Sequence, residues 1–410
     1  MRGKLPTSWW WLLLSFGLVA CAQPEVASRG KLPLCAVNEA PRANLSRHCV
    51  ENFNGGYDYF PDKLAFRHSA QLSVEYHGHY KVVRFKPAVD TGEQLEYLLV
   101  QCGAPRPAGF AKAVPINVPI NSFVTQNQSV LAAVADLGLE DRLVGLSSTR
   151  AVTIPTIAAR IEAGKILDVG GGTHSTIERI LEAGPDVLFT FYSALPNANQ
   201  HPKLWEVGVR AVGQADHMEP HPLGRAEWLK LLALLTNQEA QAEQLFAPIE
   251  QRYQELAALA ANVATRPQVM YGRSAGRDTW ERHGGRNHMA QLVYDAGGQF
   301  FLRDQIAGSW APTNFEKVYA NAEEATFWIG SMLNFNDLRS FRDSHPRNDW
   351  FRPLRERRVY AYDKGRLGMW RYPWGDQGMT KPHLILEDLL RTLHPELLPE
   401  GETRFVQKLN

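Results

Sequence analysis

Arginine and tryptophan crowd the stretch RSAGRDTWERHGGRNH at 273–288, which carries Trp280, Arg282, His283, Arg286 and Asn287. Trp310, Trp370, Arg371 and Trp374 follow further along the chain. A guanidinium makes bidentate, charge-assisted bonds to anionic oxygens, and an indole offers a flat apolar face. That mixture suits gripping a large, partly anionic, ring-bearing molecule, not transforming it. The front half contributes fewer candidates: Arg150 after RLVGLSST, Thr173 and His174 after DVGGG, and Tyr192 after DVLFTF.

Other chemistries are weaker in the pattern. His174, His217, His221, His283 and His288 could offer neutral nitrogens to zinc or manganese. None shows the close paired spacing of a zinc site, so such a metal binder is a rival reading only. An exported enzyme is a second rival. The Gly-rich GGGTH at 170–174 lacks the GxxxxGK[ST] pattern that cradles phosphate, and there is no HExxH pair. No catalytic residue and no cofactor are assigned.

The candidate residues fall in loops that follow short apolar runs. From residue 112 onward INVPIN, RLVGLS, DVLFTFYS and VRAVG alternate with helical stretches such as SVLAAVADLGL and STIERILEAG. Strand–helix alternation predicts parallel sheets built from βαβ units, with ligands at the carboxyl ends of the strands. The rhythm breaks over 222–263. There Trp228, Leu231, Leu232, Leu235, Leu245, Phe246, Ile249, Tyr253 and Leu256 recur at helical spacing. One helix from 226 to 262 would be about 55 Å long at ~1.5 Å per residue, a stiff rod joining two lobes. Thr236 and Glu239 have capping-box spacing, so a restart is expected there. Alternation then resumes through PQVMYG, EKVYANAEEATFWIG and RRVYAYD to a final amphipathic helix near 383–393. Before residue 110, LSVEYHGHYKVVRF and QLEYLLVQC read as strands and hairpins.

The expected organisation is a signal peptide at 1–20, a tether at 21–56 and an N-terminal β extension at 57–110. A first α/β lobe at 111–221, a connecting helix at 222–263 and a second α/β lobe at 264–410 follow. Arg2 and Lys4 precede an apolar run from Trp9 to Ala20, the layout of a secretory signal and too short to span a bilayer. Leu18-Val19-Ala20-Cys21 looks like a bacterial lipobox, which implies acylation of Cys21 and a location in the periplasm or cell envelope. Removing the signal takes the formal net charge from +1 to −1, which excludes the basic excess that nucleic-acid binding needs. At 44% hydrophobic and 21% charged, the composition is that of folded globular domains. Cys35, Cys49 and Cys102 permit one disulfide, favoured between Cys49 and Cys102 because both flank one strand-rich segment.

Six stretches carry a family resemblance: YFPDKLAFRHSAQLSVEYHGHYKVV, SVLAAVADLGLEDRLVGLSS, TIERILEAGPDVLFTF, HPLGRAEWLKLLALL, TWERHGGRNHMAQLVYDAGG and SWAPTNFEKVYANAEEATFWI. In that order and spacing they resemble the periplasmic substrate-binding proteins of ABC importers, in the class for iron complexes and cobalamin. The resemblance covers most of residues 57–400. It implies two Rossmann-like α/β lobes joined by a long helix (the class III binding-protein fold), with the small β-rich extension in front. It implies a monomer that takes a ferric-siderophore-type chelate in the cleft and delivers it to an ABC permease and its ATPase. Cobalamin or haem fits the same fold and stays an alternative. Glu178 and Glu316 match the two acidic residues that dock such lobes on the permease. The sequence departs from the family at NSFVTQNQS, where Ser or Thr usually follows the opening strand, and at Asn287-His288.

Overall fold

The computed structural model describes residues 32–87, 94–171, 177–193, 195–274, 279–304, 310–330, 335, 337–368 and 371–410. Leu34–Cys35 (β1) pairs in parallel with Cys49–Val50 (β2). Leu72–His77 (β3), Tyr80–Phe85 (β4), Leu95–Gln101 (β5) and Val114–Val118 (β6) form a four-stranded sheet in that order. The β3–β4 hairpin turns at Gly78, whose φ of +50° favours a residue without a Cβ. Strand β6 falls after the expected boundary at 110: it runs parallel to β5 and completes the extension instead of opening the first lobe. Residues 32–56 are likewise more than a tether. Cys49 is disulfide-bonded to Cys102, and Cys35, Val37, Val50 and Tyr59 bury a small core of their own. No cysteine among the described residues is free.

The first lobe is a five-stranded parallel sheet. Phe123–Thr125 (β7), Leu143–Leu146 (β8), Leu167–Asp168 (β9), Val187–Phe191 (β10) and Ala211–Gln214 (β11) lie in the order β11-β10-β7-β8-β9. Strands β7, β8 and β11 are buried along their whole length, as sheets covered on both faces require. Helices Leu131–Asp136 (α1), Pro155–Glu162 (α2), Ile177–Ala183 (α3) and His201–Glu206 (α4) supply the crossovers.

Three helices connect the lobes: Pro222–Ala226 (α5), Leu229–Thr236 (α6) and Glu239–Ala260 (α7). The single rod expected over 226–262 is therefore broken, and the long helix is α7, 22 residues or about 33 Å. Asn237 ends α6 in the left-handed region at φ 57°. Its side-chain amide donates to the Leu45 carbonyl at 2.9 Å and to Gln101 Oε1 at 3.0 Å, so the extension holds the break open. The Thr236–Glu239 capping box does not form. Thr236 Oγ1 bonds back to the Leu232 carbonyl, and Glu239 turns to Lys81 of the extension.

Buried charge fastens the extension to the connector. Lys81 Nζ donates to the Leu234 carbonyl, Asn237 Oδ1 and Glu239 Oε1, and sits 4.4 Å over the Phe60 ring. Glu227 accepts the backbone N–H groups of Arg67, His68 and Ser69, and pairs with Lys230. Glu219 accepts from Ser69, from the Ala70 N–H and from the Trp228 indole.

In the second lobe Gln268–Tyr271 (β12) continues into Arg273–Ser274 (β13) and Thr279–His283 (β14). Helix His288–Asp295 (α8), Gln299–Phe300 (β15), Trp310–Asn314 (β16), helix Phe315–Asn321 (α9) and Phe327–Gly330 (β17) follow. Next come helices Leu338–Asp343 (α10) and Arg352–Arg355 (α11), Val359–Ala361 (β18), helix Pro382–Leu393 (α12) and Gln407–Lys408 (β19). The main sheet has the order β15-β12-β17-β18-β19, parallel except for β19, and β13-β14-β16 form a small antiparallel sheet beside it. One contiguous hydrophobic core runs from Phe60 through α6 and α7 to Leu409, so extension, connector and both lobes share an interior.

Candidate ligand-binding cleft

Open parallel sheets bind ligands beyond the carboxyl ends of their strands. In the first lobe, β10 ends at Phe191, which is 45% exposed and stacks on His217 with ring centroids 4.6 Å apart. Burial lowers the His217 pKa to about 4, so its imidazole is neutral at neutral pH. Gln126, just past β7, accepts from Thr190 Oγ1 at 2.8 Å and fixes the adjacent strand end.

In the second lobe, aromatic rings gather at the same edge. Tyr271 closes β12 and stacks on Tyr362, which follows β18, at 6.3 Å. Tyr362 in turn stacks on Trp374 at 4.6 Å and leans on Tyr372 at 6.4 Å. Burial raises the phenol pKa of both Tyr271 and Tyr372, so both stay protonated, and Arg273 of β13 is near enough to oppose the shift at Tyr372. Tyr362 and Tyr372, half-buried near Arg273, can offer ring faces, hydroxyl donors and one cation together.

A polar chain crosses the floor between the lobes. Asn127 Nδ2 donates to Asp216 Oδ1 at 2.8 Å, and Arg225 Nε donates to Asp216 Oδ2 at 3.0 Å. The other arm of Arg225 meets His288 Nε2 at 2.6 Å. Two small cavities flank Arg225, one lined by Ser129, Gln214 and Trp228, the other by His288, Met289 and Ile385. Each offers about 10 Å³, room for little more than a single water molecule. One flank is closed by direct bonds: Asp376 accepts from Thr153 N at 2.5 Å and Thr153 Oγ1 at 2.6 Å, and Arg371 Nε donates to the Val152 carbonyl. Lys381 reaches Asp136 at 2.9 Å on the same side.

The sequence candidates take different places in the fold. Arg150 and Arg286 are exposed loop residues, and Arg371 spans the lobes. Tyr192, Trp280 and Asn287 have structural roles. Tyr192 is fully buried between Phe85 and His201, because the chain turns inward after β10. Trp280 is fully buried against Trp328 and Phe351 and donates its indole N–H to the Tyr271 carbonyl. Asn287 caps α8 by accepting from the Met289 N–H at 2.8 Å. Trp374 is buried behind Tyr362. Arg282, His283 and Trp310 lie on paired backbone of β14 and β16, and their side chains lie outside the described set. Thr173, His174 and Trp370 lie outside the described residues, as does Cys21. Glu178 and Glu316 sit exposed in the first turns of α3 and α9.

Three histidines of the metal reading have other partners: His217 stacks on Phe191, His221 caps α5, and His288 meets Arg225. Among the described residues no group of three or more His, Cys, Asp or Glu is placed to hold a metal. Sequence reading passed over Asn127, Phe191, Arg225, Arg273, Tyr362 and Tyr372; a residue one or two places past a buried strand was the available signal. It also passed over Gly272-Arg273-Ser274-Ala275-Gly276, which spells GxSxG. That spelling makes a nucleophile elbow only on a strand-to-helix turn. Here Ser274 pairs antiparallel with Trp280, so strand leads to strand and no elbow exists.

Two α/β lobes, a helical connector and a cleft at the strand ends define a solute-binding clamp. Residues 124–364, more than half of the chain, match the family described as periplasmic binding protein, and the chain belongs to that family. Such proteins work with ABC permeases. An uncharacterised lipoprotein of Methanocaldococcus jannaschii is 23% identical over 303 residues, covering 72% of this chain and 70% of its own. Among solved structures, a periplasmic haem-binding protein of Pseudomonas aeruginosa superposes with a TM-score of 0.54 at 18% identity, covering 71% of this chain and 98% of that one. Helicobacter pylori CeuE in a Ni-His complex gives 0.55 at 14% identity, covering 77% of this chain and 90% of that one. A periplasmic binding protein of Veillonella parvula also gives 0.55, at 13% identity and 77% and 98% coverage. No helix among the described residues is long and apolar enough to cross a membrane.

Proposed function

We propose that this chain is the solute-binding component of an ABC importer, anchored in the cell envelope through a lipid on Cys21, and that it captures a ferric chelate. The carrying observation is the clustering of Tyr362, Tyr372 and Arg273 at the strand ends of the second lobe, with Phe191 exposed at a strand end of the first. Ring faces with a cation beside them favour a large, flat, partly anionic ligand over a bare ion. The names of relatives keep haem open as an alternative occupant of the same cleft, since the Pseudomonas aeruginosa neighbour binds it. Cobalamin is a third. Glu178 and Glu316, one on each lobe, are assigned to docking on the permease, where paired charges set orientation and encounter rate.

Thermal-shift titration against ferric siderophores, ferric citrate, haemin and cyanocobalamin tests the reading. A ligand that binds only the folded state raises Tm progressively as its concentration passes Kd. A ferric chelate giving the largest concentration-dependent shift supports the proposal. Haemin or cyanocobalamin giving it instead moves the assignment to that ligand, and no shift with any of the four removes it.

A further inference from the structure

The two acids assigned to docking share a neighbour relationship. On α3, Glu178 is followed three residues later by Leu181, 53% exposed, while Ile180 and Ala183 turn inward. On α9, Glu316 is followed three residues later by Tyr319, 42% exposed, while Phe315 and Val318 turn inward. Positions i and i+3 lie side by side on a helix surface, so each acid has an apolar side chain next to it. In the second lobe Trp350, 50% exposed, packs edge-on against Tyr319 at 5.6 Å and enlarges that patch. Arg347 ties acid and patch together: its guanidinium is 3.1 Å from Glu316 Oε1, 4.0 Å over the Phe315 ring and 5.8 Å from the Trp350 ring.

We propose that each docking acid works with an apolar anchor, Leu181 on the first lobe and Tyr319 with Trp350 on the second. The partner they fit is the importer's permease, presenting twice a basic side chain beside an apolar socket. The inference rests on the assignment of Glu178 and Glu316 as docking acids and adds to it the source of most of the contact energy. Exposed surface ion pairs contribute little and are weakened by salt, whereas tryptophan and tyrosine are enriched among interface residues that dominate binding. A partly exposed pair prearranged by Arg347 loses little side-chain freedom on contact.

The test uses the full-length lipoprotein and the importer's permease–ATPase complex in nanodiscs, reading binding and stimulated ATP hydrolysis. Three variants are compared: Glu178→Arg/Glu316→Arg, Tyr319→Ser/Trp350→Ser, and Leu181→Ser. Circular dichroism and Tm confirm folding for each. The expected result is that the apolar variants bind the permease about tenfold or more weakly, a loss typical of an interface anchor. Their solute Kd stays within about twofold of the parent protein. If only charge reversal weakens docking, the apolar anchors are overturned and the docking acids stand. If charge reversal also leaves docking intact, the assignment of the acids falls and this inference falls with it.

Discussion

Lys81 Nζ lies 2.7 Å from Glu239 Oε1, and both side chains are wholly excluded from solvent. The pair joins the N-terminal extension to the first turn of the long connector helix α7. Burial lowers the lysine pKa and Glu239 opposes that shift, so its ammonium is held by its partner. Removing one member strands the other. Lys81→Met is expected to destabilise the protein by about 3–5 kcal/mol, the usual cost of orphaning a buried charge. Lys81→Met with Glu239→Leu should recover a large part of that loss. Urea titration of the four proteins of the cycle measures it; equal losses in single and double variants would refute the coupling.

Cys49 and Cys102 are 53 residues apart, and their bridge closes the loop that contains the whole β3–β5 meander. Chain-entropy arguments put the stabilisation from a loop of that size at about 4 kcal/mol. Cys49→Ser/Cys102→Ser should therefore unfold at lower denaturant while keeping its solute affinity, because the bridge is remote from the cleft. A matching fall in affinity would mean that the extension shapes the cleft directly.

His217 resists protonation in the folded state until about pH 4, against an ordinary value of 6.5. Between those limits the unfolded chain binds the extra proton, so stability is complete above about pH 6.5 and declines as pH falls towards 4. The contribution is about 3 kcal/mol at most, at ~1.4 kcal/mol per pH unit of difference. Burial depresses His383 in the same direction and to the same value. Denaturant titrations from pH 7 to pH 4 should show a shallower decline for His217→Gln, and a shallower one still when His383→Gln is added.

Arg273, Tyr362 and Tyr372 are the residues expected to touch solute. Arg273→Ala should raise the Kd for an anionic chelate about tenfold or more, the loss of one charge-assisted bond pair. Tyr372→Phe keeps the ring and should cost less than Tyr372→Ala. Calorimetry distinguishes the three, and unchanged affinity in all of them would place the ligand elsewhere.

Thr153 and Asp376 hold one flank of the cleft shut. Asp376→Ala leaves two buried donors without an acceptor and is expected to cost about 1–3 kcal/mol. Scattering from the solute-free variant should report a larger radius than the parent, and addition of solute should restore it.

Much of this was legible in the residue pattern. The runs RLVGLS, DVLFTF and VRAVG are β8, β10 and β11, and PQVMY and RRVYA are β12 and β18, because largely buried strands announce themselves as short apolar runs between turns. The break at Asn237 was legible only as a restart marked by the Thr236–Glu239 spacing: periodicity continues through it, and the αL conformation that makes it is held by Leu45 and Gln101 from far along the chain. Strand β6 misled for a related reason, since VPINV states that it is a strand without stating which sheet it joins. In the cleft, residue type was a poor guide. Trp280 and Tyr192 are large enough to be needed inside a lobe, and both were drawn there, while Tyr362 and Arg273 occupy the strand ends. Position after a strand carried more information than aromatic character.

Strand β19 is made of Gln407 and Lys408, and it lies antiparallel against β18 as the last strand of its sheet. The carbonyl of Asn410, two residues beyond β19, also accepts from the Leu338 N–H. The second-lobe sheet is thus closed by a two-residue strand that follows every residue lining the cleft. Without it, β18 presents a bare hydrogen-bonding edge, the feature by which partly folded chains stick to one another. Removing residues 399–410 should then yield insoluble protein, even though every residue lining the cleft is retained.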